Sequence, residues 1–317
     1  MRVVTTILNA PLGLDRPVVT MGTFDGLHRG HLAIVERLLA IAKKMDAPDV
    51  AVTFDPHPQR VLATDDRAPK LLSTLQERLE RFAALNVGCV VIIPFDREFS
   101  RWPAERYINE LVLGRLGAGH LVVGYDHAFG HDRRGKTDLL RTELDRHHVP
   151  LDVVPPVKDG EGPVKSSRIR RLLAAGDLAS ANRMLGYDYS FAGRVVQGDG
   201  RGARLGFPTA NLDVPKEKML PPHGIYGATT WLGETKYHSL IHLGPRPTVG
   251  QETVTVEVHL LDFAYRELYG ESLRVTPEVA LRKVETFPDT GTMVAQIKQD
   301  KLEYMEYIDR KEKSRAS

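Results

Sequence analysis

Across its first half the chain repeats one alternation: a short apolar run, then a segment whose apolar residues recur every three or four positions. That pattern dictates strands joined by helices, and strands linked through helices lie mainly parallel in one sheet. The strand candidates are "PVVTM", "DVAVTF", "CVVIIPF", "HLVVGY" and "LDVVP". After His31, the spacing of Leu32, Val35, Leu38, Leu39, Ala42 and Met45 predicts a helix with one apolar face to lay on the sheet. "LQERLERFAALN" and "AERYINELVLGRLG" read the same way.

From about Tyr187 the character changes. Short strand-like pieces are separated by "QGDGRGARLG", "VPKEKMLPPHG" and "LGPRPTVGQE", with glycine and proline at every turn, which predicts a small β-barrel or sandwich. The last segment returns to a helix, with Val294, Ile297, Leu302, Met305 and Ile308 expected toward one side. A chain of 317 residues exceeds what one core supports. Two domains are expected, 1–186 and 187–317, an α/β unit followed by a β unit.

The 43 basic against 41 acidic side chains, net +2, give no reason to expect nucleic acid or an acidic membrane surface. Cys89 is the single cysteine, so no internal disulfide forms, and its apolar surroundings predict a core residue, not a nucleophile. "MRVVTTILNAPLG" lacks the apolar stretch of a secretory signal and no apolar run is long enough to cross a bilayer, so a cytoplasmic protein is expected.

In "TMGTFDGLHRGHLAIVERLL" two histidines, His28 and His31, stand at i and i+3 where a strand runs into a helix. On the first turn of a helix they share a face, and the N–H groups and dipole there already favour an anion. Gly30 lets a bound group approach the backbone, and the glycines of "GTFDG" suit the sharp turn. The arrangement points to a phosphate site; a surface histidine pair without a role is the alternative, and zinc is weaker for want of a third ligand at familiar spacing. "FDPHPQ", around His57, is a rigid binding loop or a plain turn. "GYDHAFGHDRRG", with Asp126, is a polar loop at another strand end. In "VKSSRIRRLL", Ser166, Ser167 and the nearby arginines suit a polyphosphate, although Ser167 could merely cap a helix.

In the second half, the glycines of "QGDGRGARLG" can turn N–H groups toward a phosphate or simply serve barrel corners. Thr209 and Asn211, two apart on an extended strand, point to one face and can offer a hydroxyl and a carbonyl to Mg²⁺. "VTVEVHLL" alternates strictly, with Val254, Val256, Val258 and Leu260 on one face and Thr255, Glu257 and His259 on the other. Glu257 is therefore either solvated surface or a base for an attacking alcohol.

The clusters "GTFDGLHRGH", "TFDPHP", "VGYDHAFG" and "SSRIR", in this order, resemble the adenylyltransferase domain of the bacterial bifunctional riboflavin kinase/FAD synthetases. "GFPTANL", "LGPRPTVG" and "VEVHLLDF" resemble the riboflavin kinase domain of the same family. The resemblance implies an N-terminal Rossmann-like nucleotidylyltransferase and a C-terminal six-stranded Greek-key barrel with a terminal helix. It implies that His28 and His31 contact the ATP phosphates, with Gly22, Phe24, Gly30, Ser166, Ser167 and Arg170 in the same pocket. His57 and Asp126 would lie at the nucleotide and flavin site. In the second domain Thr209 and Asn211 would bind Mg²⁺ and ATP, Glu257 would be the base, the loop carrying Gly198, Gly202 and Gly206 would cover the phosphates, and Arg282 would face the flavin. Two positions depart from the family pattern: Lys165 stands where the first of two serines is usual, and His127 replaces a usual phenylalanine.

The implied activity is a two-step synthesis, riboflavin to FMN and FMN to FAD, with ATP as co-substrate in both steps. A single-activity kinase beside a silent nucleotide fold, and a flavin-binding module without turnover, are the alternatives.

Overall fold

The computed structural model describes all residues except 6, 9–10, 64–67, 161, 199–201, 203–205, 246–253, 265 and 317, and the side chains of 133, 315 and 316. Parts of "QGDGRGARLG" and most of "LGPRPTVGQE" thus lie outside the described residues. The chain divides into two compact units, Met1–Arg168 and Ile169–Ser317.

The first unit is built on a parallel sheet of β1 (Arg2–Val4), β2 (Val18–Met21), β3 (Asp49–Asp55), β4 (Cys89–Pro94), β5 (His120–Gly124) and β6 (Leu151–Val154), in the order β1-β4-β3-β2-β5-β6. The five inner-sequence strands coincide with the apolar runs. β1, three residues long and partly exposed, carries too little pattern to be read.

Because every strand of the sheet interior is covered twice, alternate residues serve opposite faces. Val18 and Val122 pack under Leu38 and Ile41 of α1 (Arg29–Met45). Ala51, Val90 and Ile92 pack with Phe82 of α3 (Leu75–Ala84), which follows a short α2 (Pro58–Leu62). On the opposite face Val19, Val50, Val52, Val91 and Val123 meet Ile108, Leu111 and Val112, then Leu140 and Leu144 of α5 (Thr137–Arg146). The expected helix at "AERYINELVLGRLG" starts as α4 (Ala104–Arg106) and continues as a π-helical segment, Tyr107–Arg115. In α1 the buried stripe runs through Ile41, while Met45, expected on it, is 42% exposed.

Strand order reverses direction between β2 and β5, so the crevice at their carboxyl ends is the switch point where doubly wound sheets hold ligands. A two-stranded hairpin, β7 (Lys158–Asp159) and β8 (Gly162–Pro163), leads from β6 into α6 (Ser166–Ala174). The seam between the units falls inside α6, ahead of the expected 186–187. Helix α7 (Leu178–Leu185) buries Leu178, Ala181, Met184 and Leu185 and groups with the second unit.

The second unit is a barrel, not a sandwich. β9 (Phe191–Val196), β10 (Ala210–Asp213), β11 (Gly224–Leu232), β12 (Thr235–Pro245), β13 (Val254–Leu260) and β14 (Ser272–Arg282) close in the order β10-β13-β12-β11-β14-β9, every pair antiparallel. β11 to β13 form a meander and β14 returns beside β11, the Greek-key arrangement. β13 alternates as its sequence demands: Val256, Val258 and Leu260 are buried, and Thr255, Glu257 and His259 lie on the other face.

Helix α8 (Thr290–Ala316) lies on the outside of the barrel, where Tyr304 and Ile308 pack with Leu240. Its buried stripe is Asp300, Tyr304 and Ile308 at i, i+4 spacing. Leu302, expected on that side, is 59% exposed. Two stripe positions are polar, which hides the stripe from an apolar pattern: Arg282 binds the Asp300 carboxylate through Nε and Nη2 at 2.9 Å each, and the Tyr304 hydroxyl donates to Glu278 at 3.1 Å.

Candidate functional site

The first site forms where loops leave β2, β3, β5 and β6. His28 is the N-cap of α1 and its Nδ1 accepts from the His31 backbone N–H at 3.3 Å. An imidazole caps here in the place that serine or aspartate usually takes. With Nδ1 as acceptor, the neutral form of the His28 ring carries its proton on Nε2. The two rings stack at 3.7 Å with 12° between planes, and His31 meets the edge of Phe24 at 5.3 Å. Burial, then the neighbouring His28, holds the His31 pKa well below the ordinary histidine value, so this ring is neutral at pH 7. Its Nδ1 is buried with no hydrogen-bond partner among the described residues, a polar atom awaiting one. A Cβ at Gly30 would stand 3.2 Å from His28 Cε1, so glycine leaves room for the capping ring.

The turn that delivers these rings is strained and heavily buttressed. Phe24 and Leu27 have φ of +49° and +36°, costly values for such side chains, and both are buried. Buried Asp25 accepts from the backbone N–H groups of Leu72 and Ser73, and the Gly26 N–H donates to the Ser73 hydroxyl. Arg78 of α3 is 1% exposed. Its Nη1 donates to Thr23 O and Thr53 Oγ1 at 2.8 Å and to Phe54 O at 3.2 Å, and Nη2 lies 3.5 Å from Asp55. One guanidinium thus joins the loop after β2 to the end of β3. Desolvation lowers its pKa, opposed by Asp25 and Asp55. Arg78, Asp25 and Ser73 were not read from the sequence; an arginine on the inner stripe of α3 was the available sign.

Several expected residues converge here. Gly22 follows β2, and its N–H donates to Val52 O. His57 is buried, caps α2, and accepts from the Gln59 N–H at 3.2 Å. Ser166 opens α6 and donates its hydroxyl to Asp25 O at 3.0 Å, which places the start of α6 beside the start of α1. Ser167 is exposed on the same turn, and Arg170 lies further along α6, past the seam. Asp126 follows β5 and is 3.8 Å from Lys165 Nζ, an ion pair that sequence reasoning did not foresee.

The second site comes from register alone. Across the barrel, Asn211, Glu257, His242, Ile225 and Arg282 are directly opposite one another on β10, β13, β12, β11 and β14, so they share a face. That face is the outer one, since β13 buries the alternate residues. Thr209 Oγ1 lies 3.4 Å from Glu257 Oε2. A Cβ at Gly198 would overlap the Asn211 amide, so any larger residue there would displace that side chain. Gly202 accepts from the Phe207 N–H and Gly206 turns with φ +82°. His259 donates to Pro208 O at 2.9 Å, pinning the segment that carries Thr209. His242, also missed, has its pKa lowered by burial, with Glu257 opposing and Arg282 and His223 reinforcing. Arg282 is engaged by Asp300 and by Lys283 O. Its guanidinium ties β14 to α8 at the end of the row.

Thr209 and Asn211 offer a hydroxyl and an amide carbonyl, hard oxygen donors suited to Mg²⁺. No group of three or more His, Cys, Asp or Glu able to hold a metal occurs among the described residues.

Comparison with known proteins agrees with this geometry. Residues 13–168 match the family model described as FAD synthetase and residues 185–308 the one described as riboflavin kinase. The bifunctional riboflavin kinase/FMN adenylyltransferase of Escherichia coli (strain K12) is 34% identical over 292 residues, 92% of each chain. The protein of that description from Listeria monocytogenes is 30% identical, covering 93% of this chain and 95% of its own, and that from Bacillus subtilis 28%, covering 92% and 93%. A crystal structure described as a macrolide-efflux protein from Streptococcus pneumoniae superposes with a TM-score of 0.84 at 27% identity, over 95% of this chain and 98% of that one. No helix among the described residues is long and apolar enough to cross a membrane. With two catalytic units in family order and relatives matched along nearly their whole length, the chain belongs to the bifunctional riboflavin kinase/FMN adenylyltransferase family.

Proposed function

We propose that the protein makes FAD from riboflavin in two ATP-dependent steps, one in each unit, and that the residues above divide the work. In the barrel, the terminal ribityl hydroxyl of riboflavin attacks the γ-phosphorus of ATP; the new O–P bond forms as the bond to ADP breaks, and Glu257 accepts the hydroxyl proton. Thr209 and Asn211 would hold Mg²⁺, which neutralises phosphate charge when bound. The observation carrying this assignment is the cross-strand row that puts Asn211 directly opposite Glu257.

In the first unit, a phosphate oxygen of FMN attacks the α-phosphorus of ATP and pyrophosphate leaves. That nucleophile is already anionic, so no protein base is needed and positioning with charge stabilisation supplies the catalysis. The His28 Nε2–H, the unpartnered His31 Nδ1 and the paired starts of α1 and α6 form the donor array for it. His57, Asp126 and Ser167 line the approaches for nucleotide and flavin in the first unit. Arg282 anchors α8 through Asp300 and stands at the end of the row, where it would face the flavin.

The expected setting is a cytoplasmic enzyme acting on small molecules. Incubation with riboflavin, ATP and Mg²⁺, followed by chromatography of the flavins, should show FMN and then FAD. FMN alone, even when FMN is supplied, would leave a kinase beside a silent nucleotide fold.

A further inference from the structure

A nucleoside triphosphate arrives with several negative charges, yet the two imidazoles at the head of α1 bring little formal charge. They are stacked at 3.7 Å, His31 is held neutral, and His28 uses Nδ1 as an acceptor. The α1 dipole contributes about half a charge. Three guanidinium groups near it are engaged elsewhere: Arg78 is buried under the loops it joins, Arg29 pairs with Asp159 at 3.7 Å, and Arg168 donates to the carbonyls of Asp159 and Gly162.

Lys165 is placed differently. It follows Val164, whose carbonyl oxygen is 3.6 Å from where a Gly30 Cβ would stand, and precedes Ser166, whose hydroxyl donates to Asp25 O. Its backbone is therefore fixed beside the entrance to α1. Its ammonium group reaches the end of β5, 3.8 Å from Asp126 and 5.7 Å from the Tyr125 ring centre, on the opposite rim of the switch-point crevice. The lysine side chain is 45% exposed and the carboxylate 58%. A pair this open and this long contributes little stability and is readily exchanged.

We propose that Lys165 is a substrate-binding residue for the triphosphate of ATP in the adenylyl-transfer step, leaving Asp126 for the phosphates when the nucleotide enters. A monovalent exposed carboxylate holds the lysine within reach without competing against a polyanion. The inference rests on the reading of the first unit as the adenylyl-transfer site.

The test uses the full chain with Lys165→Met and Lys165→Arg, measuring FAD formation against ATP at fixed FMN and against FMN at fixed ATP, with riboflavin phosphorylation as the internal control. Loss of one charge-assisted contact should raise KM for ATP about tenfold in Lys165→Met. KM for FMN and the kinase rate should stay within about twofold, and Lys165→Arg should recover most of the ATP affinity. An unchanged KM for ATP, a rise confined to FMN, or an arginine variant no better than methionine would overturn the proposal. Should Lys165→Met lose FAD formation outright, Lys165→Ser gives the same readings with a small polar side chain. If the unaltered protein makes no FAD from FMN, the reading of the unit fails first, a result distinct from an unaltered protein that makes FAD and a methionine variant that equals it.

Discussion

The two units solve one problem, holding ATP beside a flavin, by opposite means. In the parallel sheet the chemical groups sit on loops that leave four strands, and their geometry depends on buried polar residues that carry no chemistry themselves. Arg78 and Asp25 fasten the turn that presents His28 and His31. In the barrel the groups sit on the strands, and pairing register alone sets Asn211, Glu257 and His242 side by side. A loop-built site should therefore be fragile at a distance, through its fasteners, whereas a register-built site should yield to changes at the row itself or in direct contact with it.

The contrast is tested most severely at Arg78. Arg78→Met leaves Asp25 and Asp55 without their buried cation and should destabilise the first unit by about 3–5 kcal/mol, read from urea unfolding, while riboflavin phosphorylation persists wherever the barrel stays folded. Next comes the donor array. His28→Ala removes both a cap and a donor, and FAD formation from FMN should fall about 10²–10³-fold with FMN formation unchanged. A smaller effect should follow in the barrel: Gly198→Ala pushes a methyl into the Asn211 amide and should slow the kinase about tenfold, at about 1.4 kcal/mol, leaving adenylyl transfer intact.

The smallest effect is on pH. The folded-state pKa of His31 lies below its unfolded value, so the unfolded chain binds more protons as pH falls under about 6.5. Stability of the first unit is thus full above that value and declines toward pH 5. His31→Asn should flatten the slope in urea midpoints measured across that window; an equal slope in the variant would assign it to other groups.

Much of this was legible in the chain. Apolar alternation located the five central strands, and the strict alternation of "VTVEVHLL" already put Glu257 and Val258 on opposite faces. The H-x-G-H motif marked a helix start at a strand end. What pattern could not show was anything that depends on who lies opposite. Barrel closure, the row from Asn211 to Arg282, and the hold of Arg78 on two loops are contacts between distant segments. Polar residues in buried stripes, such as Asp300 and Tyr304, misdirected the reading of α8 toward Leu302, because periodicity counts apolar residues and burial does not. Lys165 was visible as a departure from a pattern, but its partner Asp126 was visible only in three dimensions.

The division of labour between the units is the central claim, and Glu257→Gln tests it most directly. The variant is given riboflavin and ATP in one reaction and FMN and ATP in another, and the flavins are separated over time. Riboflavin phosphorylation should fall at least about 100-fold while FMN is still converted to FAD within twofold of the unaltered rate. Equal loss of both reactions in folded protein, or a kinase rate that does not change, would contradict the account.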